Sequence, residues 1–333
     1  MNNDLVSIII PTFNREILLT ETLNSIKNQT YYHWECIVID DQSTDFSVDL
    51  VKKIEKEDSR FKIFSRPNDK PKGANSCRNY GIEKATGDFI MFFDSDDLLK
   101  EDCLENRVFE INKNSDYDML VFSMGIFDYH TKPKIDENRK VVNLNLKDTI
   151  IDFIFSHKLP WNVCRPIYKT SFIKNKIAFN EKIHNFQDDE FNLRVLYYLK
   201  PSYLSIDYTD CYYRSDIENV NKYNNLKGNQ NIIDSLLEYY KTVFIVLDKD
   251  TKIVYRDKLI QKFFSQIKAH VQYKVTMQSI NKVIRLFNEE INLSTKEYFI
   301  LHGIKFLNNY FLNIKGYYFF SSKAKKMLFK INL

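Results

Sequence analysis

The sequence predicts an α/β fold: a mostly parallel central sheet flanked by helices, followed by a helical C-terminal region. Three observations lead there. The first hundred or so residues alternate short, continuously apolar runs with helix-length amphipathic segments. That is the pattern of βαβ units whose strands are buried on both faces. Several apolar runs stop abruptly in polar text, "PTFNRE", "DDQSTD" and "DSDD". Beyond about Lys227 the β-branched runs disappear and helical spacing continues to the end.

Taken in order, Leu5 to Ile10 is a β-branched run stopped by Pro11. Glu16 to Asn28 has helical spacing, with Ile17, Leu18, Leu19, Leu23 and Ile26 apolar. Trp34 to Ile39 is a second strand ending in Asp40 and Asp41, and Asp45 to Glu57 a helix capped by Ser43 or Thr44. Phe61 to Phe64 is a third strand, Ala74 to Ala85 a helix closed by Gly87, and Phe89 to Phe93 a fourth strand. Residues 118–129, "DMLVFSMGIFDY", supply one or two strands, and Asp148 to Ser156 a helix. Asp188 to Leu199 is an amphipathic helix with Phe191, Val195, Leu196 and Leu199 on one side. A polar, turn-rich stretch at 216–226 marks a boundary, so residues 1–220 form the α/β domain and 221–333 the helical region.

Composition narrows the class. With 26 Phe and 21 Tyr in 333 residues a sizeable core is available, and 7 Gly and 7 Pro leave little room for low-complexity linkers. The 5 cysteines form no CxxC pair and no Cys/His ligand pattern. Their odd count, with no leader-like segment, points to a reducing cytoplasm. No apolar run is long enough to span a bilayer. A net charge of +4 on no recognised module argues against nucleic-acid binding. From Ile300 to Leu333 there is no Asp or Glu, but there are Lys305, Lys315, Lys323, Lys325, Lys326 and Lys330. Two readings stand for this tail: a terminal helix with a solvated basic face, or a segment lying on an anionic membrane surface.

Parallel sheets bind ligands beyond the carboxyl ends of their strands, which puts the three polar segments along one rim. Asp94, Asp96 and Asp97 crowd carboxylates around Ser95, and like charges that close must be solvated or paired. Hard divalent cations take such oxygen ligands. The alternative is a solvated acidic turn, with Asp97 capping a helix that begins near Leu99. Asp40 and Asp41 could accept hydrogen bonds from a nucleotide's base or ribose, or simply start a helix. No GxGxxG and no GxxxxGK[ST] is present, so dinucleotide and P-loop sites are disfavoured. The basic loop at 66–81 carries Lys70, Lys72 and Arg78, which could neutralise a diphosphate or be ordinary surface charges. Asp188 and Asp189 suit a helix N-terminus through the dipole. The other reading is a carboxylate general base, Asp188, or His184 four residues earlier.

Four segments, "VSIIIPTFNRE", "WECIVIDDQSTD", "KGANSCRNYGIEKATGDFIMFFDSDDLL" and "FQDDEFNLRV", in this order and spacing resemble the family-2 glycosyltransferases of the GT-A fold. The resemblance covers roughly residues 5 to 200, and "LPWNVCRPIYKTSF" resembles the family's acceptor-side segment. It implies a donor-binding half over about 1–115 and an acceptor side over about 116–220. Pro11, Thr12, Phe13 and Asp41 would hold the base of a nucleoside-diphosphate sugar, with UDP-sugar the expected donor. Lys72, Arg78, Asp94, Ser95 and Asp96 would complete the donor site. Asp96, with Asp94 and Asp97 beside it, would bind Mn²⁺ or Mg²⁺. Asp188 falls where the family carries its catalytic base, six residues before Arg194. Gln187 departs from the family, which has Glu there. Trp161, Asn162, His184 and Gln187 would lie on the acceptor side. The implied activity is inverting transfer to a hydroxyl of a glycan or lipid-linked saccharide, in the cytoplasm or at the inner membrane face. The C-terminal helices would support the acceptor site, touch the membrane or form a homodimer. Two other readings compete with it: a catalytically silent nucleotide-sugar binder, and an Asp-x-Asp phosphatase. The phosphatase is disfavoured because its motif follows a first strand, not a fourth.

Overall fold

The computed structural model describes residues 3–128, 130–141, 145–156, 159–215, 226–270 and 277–311. The first third is built from β1 (Val6–Thr12), α1 (Glu16–Lys27), β2 (Trp34–Asp40), α2 (Ser47–Glu57), β3 (Phe61–Ser65), α3 (Ala74–Lys84) and β4 (Phe89–Phe92). These alternate as the apolar runs require. The strands pair in the order β3-β2-β1-β4, all parallel. β1 and β2 are buried along their whole lengths, as strands covered on both faces must be. The parallel register is what makes the rim: Thr12 pairs with Asp40 and Ile9 with Phe92, so the three chains leave the sheet on one side.

Beyond β4 come β5 (Leu98–Leu99), α4 (Cys103–Lys113), β6 (Met119–Asp128), β7 (Thr131–Ile135), α5 (Leu146–Phe155), β8 (Pro166–Lys169), α6 (Thr170–Ile173), α7 (Gln187–Arg194) and β9 (Tyr203–Arg214). Here the sheet is mixed. β8 lies antiparallel between β4 and β6, β9 runs parallel to β6, and the short β5 lies antiparallel to β9. The predicted one or two strands are thus one long strand over Met119–Asp128, paired antiparallel with the exposed β7.

Several local expectations are corrected. Neither Ser43 nor Thr44 caps α2. Ser43 Oγ instead accepts from the Asn14 N–H (2.9 Å), and Asp45 accepts from Ser47 N–H (3.0 Å) at the helix start. Leu98 and Leu99 do not open a helix behind an Asp97 cap. They pair with Tyr212 and Cys211 of β9, and α4 begins at Cys103. The helix read from Asp188 to Leu199 is α-helical only to Arg194 and continues as a π turn over Val195–Leu199, closed by Lys200 at φ 45°. All 5 cysteines are free and buried.

A polar knot ties the sheet's lower edge. Ser7 Oγ donates to Glu35 (2.7 Å), which also accepts from Thr86 N–H (2.7 Å) and from Lys62 (2.8 Å). Gly87 N–H donates to Ser7 Oγ (2.9 Å). A Cβ at Gly87 would stand 2.5 Å from the Leu5 carbonyl oxygen and 2.7 Å from Ser7 Oγ. Backbone cannot yield as a side chain can, so Gly87→Ala is expected to destabilise by about 1–3 kcal/mol, measured by urea unfolding.

By contact density the chain divides into two compact units: Met1–Glu181 with Gln187–Asp216, and Lys182–Phe186 with Ile217–Leu333. The expected boundary at 216–226 falls almost wholly outside the described residues, as does the basic tail beyond 311. The second unit contains α8 (Leu226–Val246), α9 (Lys249–Val254), α10 (Arg256–His270), α11 (Met277–Ile291) and α12 (Thr295–Phe311). Its core is aromatic: Phe287 stacks on Phe263 (4.4 Å) and meets Tyr240 edge-on (4.7 Å). Arg256 forks onto Glu297 (2.9 and 2.6 Å), tying the starts of α10 and α12. No described helix is long and apolar enough to cross a membrane.

Candidate active site

The site grows from the end of β4. Phe92 packs edge-on against Phe179 (4.9 Å), which stacks on Phe191 of α7 (3.7 Å). This ring cluster sets α7, and therefore Asp188, against the strand that delivers Asp94. Arg78, on α3, bridges the two. Its Nη2 donates to Asp94 Oδ1 (2.7 Å) and its Nη1 to Gln187 Oε1 (2.8 Å). Its side chain is almost fully buried. Burial works against the guanidinium's charge, but Asp94 and Asp188 more than offset it, so its pKa is raised. The residue that departs from the family pattern, Gln187, is thus an acceptor for Arg78. A neutral amide fills that place without adding a further negative charge.

Asp97 is wholly buried. Its Oδ1 accepts from the Arg214 N–H (2.9 Å), and its Oδ2 has no partner. Burial, with the charges of Asp94 and Asp96, holds its pKa well above the usual carboxylate range. One oxygen each from Asp94 and Asp97 and the Cys164 Sγ lie within 4.8 Å of one another. A buried, half-satisfied carboxylate beside a second one is costly unless a positive partner is supplied. The residues present therefore fit a divalent cation, which Asp94 and Asp97 could hold with one carboxylate oxygen each. Asp96 stands outside this group; its carboxylate lies 3.8 Å from Arg15 Nε. Ser95 is buried between them.

Asp188 opens α7. Its pKa is pushed up to about 7, first by burial and then by Asp94 and Asp189, against the pull of Arg78 and the Val163 N–H. A carboxyl poised near neutrality is suited to proton transfer. Arg194, six residues on, forks back one turn onto Glu190 (2.6 and 2.9 Å) and stiffens the helix.

The remaining predicted residues stand outside this cluster. Asp41 is buried and ion-paired with Arg66, whose guanidinium also caps the Pro67 carbonyl (2.9 Å). Pro11 and Thr12 end β1, and the buried Thr12 Oγ1 has no partner. Phe13 is 41% exposed, with Lys72 Nζ 3.7 Å above its ring. Trp161 is a core residue, edge-on to Phe153 (4.9 Å) with its N–H on Asn192 (3.2 Å). Asn162 faces Met124 Sδ (3.4 Å). His184 belongs to the helical unit, where its N–H donates to Ser235 Oγ (3.0 Å).

Sequence reasoning missed Arg66, Arg214 and Cys164. Arg214 donates its N–H to Asp97, its Nε to the Asp96 carbonyl (2.8 Å) and its Nη2 to Glu21 (2.6 Å). It stands 117 positions from Asp97, at the end of an aromatic strand, with no local signal. Arg66 opens the basic loop and could have been found as its most proximal cation.

The family model for glycosyl transferase family 2 matches residues 7–178. An uncharacterized glycosyltransferase of Haemophilus influenzae is 44% identical over 108 residues, covering 32% of this chain and 42% of that protein. The match thus spans less than half of that relative's length. The poly(ribitol-phosphate) β-N-acetylglucosaminyltransferase TarP of Staphylococcus aureus is 30% identical over 247 residues, 72% of each chain. Among solved structures, S. aureus TarS 1–349 in complex with UDP-GlcNAc superposes with a TM-score of 0.65 at 20% identity, over 96% of this chain and 91% of that one. That likeness establishes the GT-A-type fold.

Proposed function

We propose, from the premise that the chain belongs to glycosyl transferase family 2, that it moves a sugar from a nucleoside-diphosphate sugar to a hydroxyl of a glycan or lipid-linked acceptor, with inversion. The carrying observation is the convergence of Asp188, Arg78, Asp94 and Asp97 on one rim. Support for a UDP-sugar donor comes from TarS, whose structure holds UDP-GlcNAc, and for a polymeric acceptor from the name of TarP.

Asp188 takes the proton of the acceptor hydroxyl as its oxygen attacks the anomeric carbon, and the nucleoside diphosphate leaves. Arg78 orients the Asp94 carboxylate and places positive charge at the rim. Asp94 and Asp97 would hold Mn²⁺ or Mg²⁺, with Asp96 facing the donor. When bound, the cation supplies charge that stabilises the leaving diphosphate. Lys72 above Phe13, and Asp41 with Arg66, flank the path on which the base would lie.

The direct test is thermal unfolding with a panel of nucleoside diphosphates, with and without Mn²⁺. A ligand at a hundredfold excess over its Kd stabilises by about 2.7 kcal/mol, a rise of several degrees. UDP with Mn²⁺ should give the largest shift. If no nucleoside diphosphate shifts the transition under either condition, the reading fails.

The pH dependence has a defined sign. The base works only when ionised, and its pKa is near 7. The rate should therefore fall about tenfold per unit as pH drops below that value, and level off above it. A cation at Asp94 and Asp97 draws the limb to lower pH, so profiles at low and saturating Mn²⁺ should separate.

A further inference from the structure

Cys164 stands beside the Asp94 and Asp97 carboxylates, yet the transfer chemistry has no use for a thiol. It is wholly buried, in the turn before β8. Arg107 Nη1 holds its carbonyl (3.2 Å), and the neighbouring Arg165 Nε donates to the Phe122 carbonyl (2.8 Å), so the segment is pinned on two sides. Its Sγ and one oxygen each of Asp94 and Asp97 are mutually within 4.8 Å. Independently, the Asp97 Oδ2 is buried without a hydrogen-bond partner, so that carboxylate retains a ligand atom to offer.

We propose that Cys164 gives the cation pocket a sulfur donor, making it a mixed oxygen–sulfur site that takes thiophilic divalent ions, Zn²⁺ or Cd²⁺, in preference to Mg²⁺ and Mn²⁺. The proposal rests on the reading that Asp94 and Asp97 hold a cation. Hard ions are served by carboxylate oxygens alone, whereas thiolate ligation selects softer ones. In a tetrahedral zinc site with Zn–S of about 2.3 Å and Zn–O of about 2.1 Å, the sulfur and oxygen ligands stand about 3.6 Å apart. The donors, within 4.8 Å of one another, need to close by roughly 1–1.5 Å at most to reach such spacings. Asp94 is partly exposed, which provides an entry path. Three protein ligands leave a fourth position open, the arrangement of zinc sites that also bind a small ligand. On binding, the thiol releases its proton to solvent. Occupancy by a thiophilic ion would exclude Mn²⁺ from the same two carboxylates. The other cysteines, Cys36, Cys77, Cys103 and Cys211, join no such three-donor group among the described residues.

The test uses the full chain stripped with a chelator. Cd²⁺ is titrated while the ultraviolet sulfur-to-cadmium charge-transfer band is followed, and Mn²⁺ binding is measured separately by electron paramagnetic resonance. The wild type should develop the band to saturation at one equivalent. Cys164→Ser should lose it and bind Cd²⁺ at least about 10–100-fold more weakly, with Mn²⁺ affinity changed less than about threefold. Cys164→Ala, with thermal unfolding of both variants, guards against a folding defect. A band that persists in both variants, or Cd²⁺ binding without a band, overturns the proposal. Mn²⁺ binding without any sulfur band overturns it but leaves the transferase reading standing. If neither ion binds, the cation reading falls with it.

Discussion

Asp188→Asn is expected to lower transfer by about 10²–10⁴-fold, the range a positioned general base contributes, while nucleotide affinity stays within a few fold. The substitution keeps the shape but removes the negative charge, and with it the ability to accept a proton. Asp188 is tied to the donor side through charge: Arg78 attracts it and Asp94 repels it. The variant removes one of the two carboxylates that favour the Arg78 charge and leaves the Arg78–Asp94 pair intact. A second readout runs the other way. The raised pKa means that folding disfavours the ionised form. Between the carboxylate's unfolded value and about 7 the native state binds more protons than the unfolded state, so this group's contribution to stability declines as pH rises through that window. Asparagine carries no such burden. Asp188→Asn should therefore unfold no lower than the wild type at pH 8 while being nearly inactive, an exchange of stability for function. Normal turnover in the variant would remove Asp188 from the mechanism. Inactivity with lost nucleotide affinity would make it a binding residue instead.

Arg107→Met should destabilise the α/β unit by about 3–5 kcal/mol, lowering the thermal midpoint by roughly 6–20 °C. Arg107 on α4 and Asp210 on β9 are both fully buried, joined by two bonds of 2.6 and 2.8 Å. Removing one partner strands the other's charge in the core, and that stranded charge is the main cost. The control is Arg107→Met with Asp210→Leu, which should recover most of the loss because neither charge remains. Urea unfolding of the two single variants and the double separates the terms. If Arg107→Met costs under about 1 kcal/mol, the pair behaves like a surface contact and the core assignment is wrong. The pair also reaches the pocket, since Arg107 holds the Cys164 carbonyl. The destabilised variant should therefore bind Mn²⁺ and Cd²⁺ less tightly as well.

Much of the donor half was legible because its strands are short-range objects. Buried parallel strands must be apolar throughout, so Val6–Thr12, Trp34–Asp40 and Phe89–Phe92 announce themselves within a few residues. Their polar ends then fall on one rim by topology. Local pattern was a poorer guide where two elements competed for the same residues. Ser43 and Thr44 resemble caps, but Asn14 engages both. Leu98 and Leu99 resemble a helix start, but β9 claims them as an edge pairing. The antiparallel insertion of β8 between β4 and β6 has no local signature, since four residues cannot display a period.

The candidate site divides along the same line. By itself the sequence determined which groups the strand ends offer on one rim, carboxylates at 40, 41, 94, 96 and 97, with a basic loop near it and an Arg on the helix that follows; Asp188 it placed only at a helix start. That follows from the two-residue and 3.6-residue periods, which depend only on nearest neighbours along the chain. Only the tertiary structure decided which of those groups meet. It turned Asp97 inward onto the Arg214 N–H, left Asp96 facing Arg15, joined Asp94 to Gln187 through Arg78, and brought Cys164 into the acidic pocket. Each of those contacts is between segments that are separate in sequence or is a choice between adjacent carboxylates. Side-chain burial and partner geometry decide both, and neither is written in local spacing.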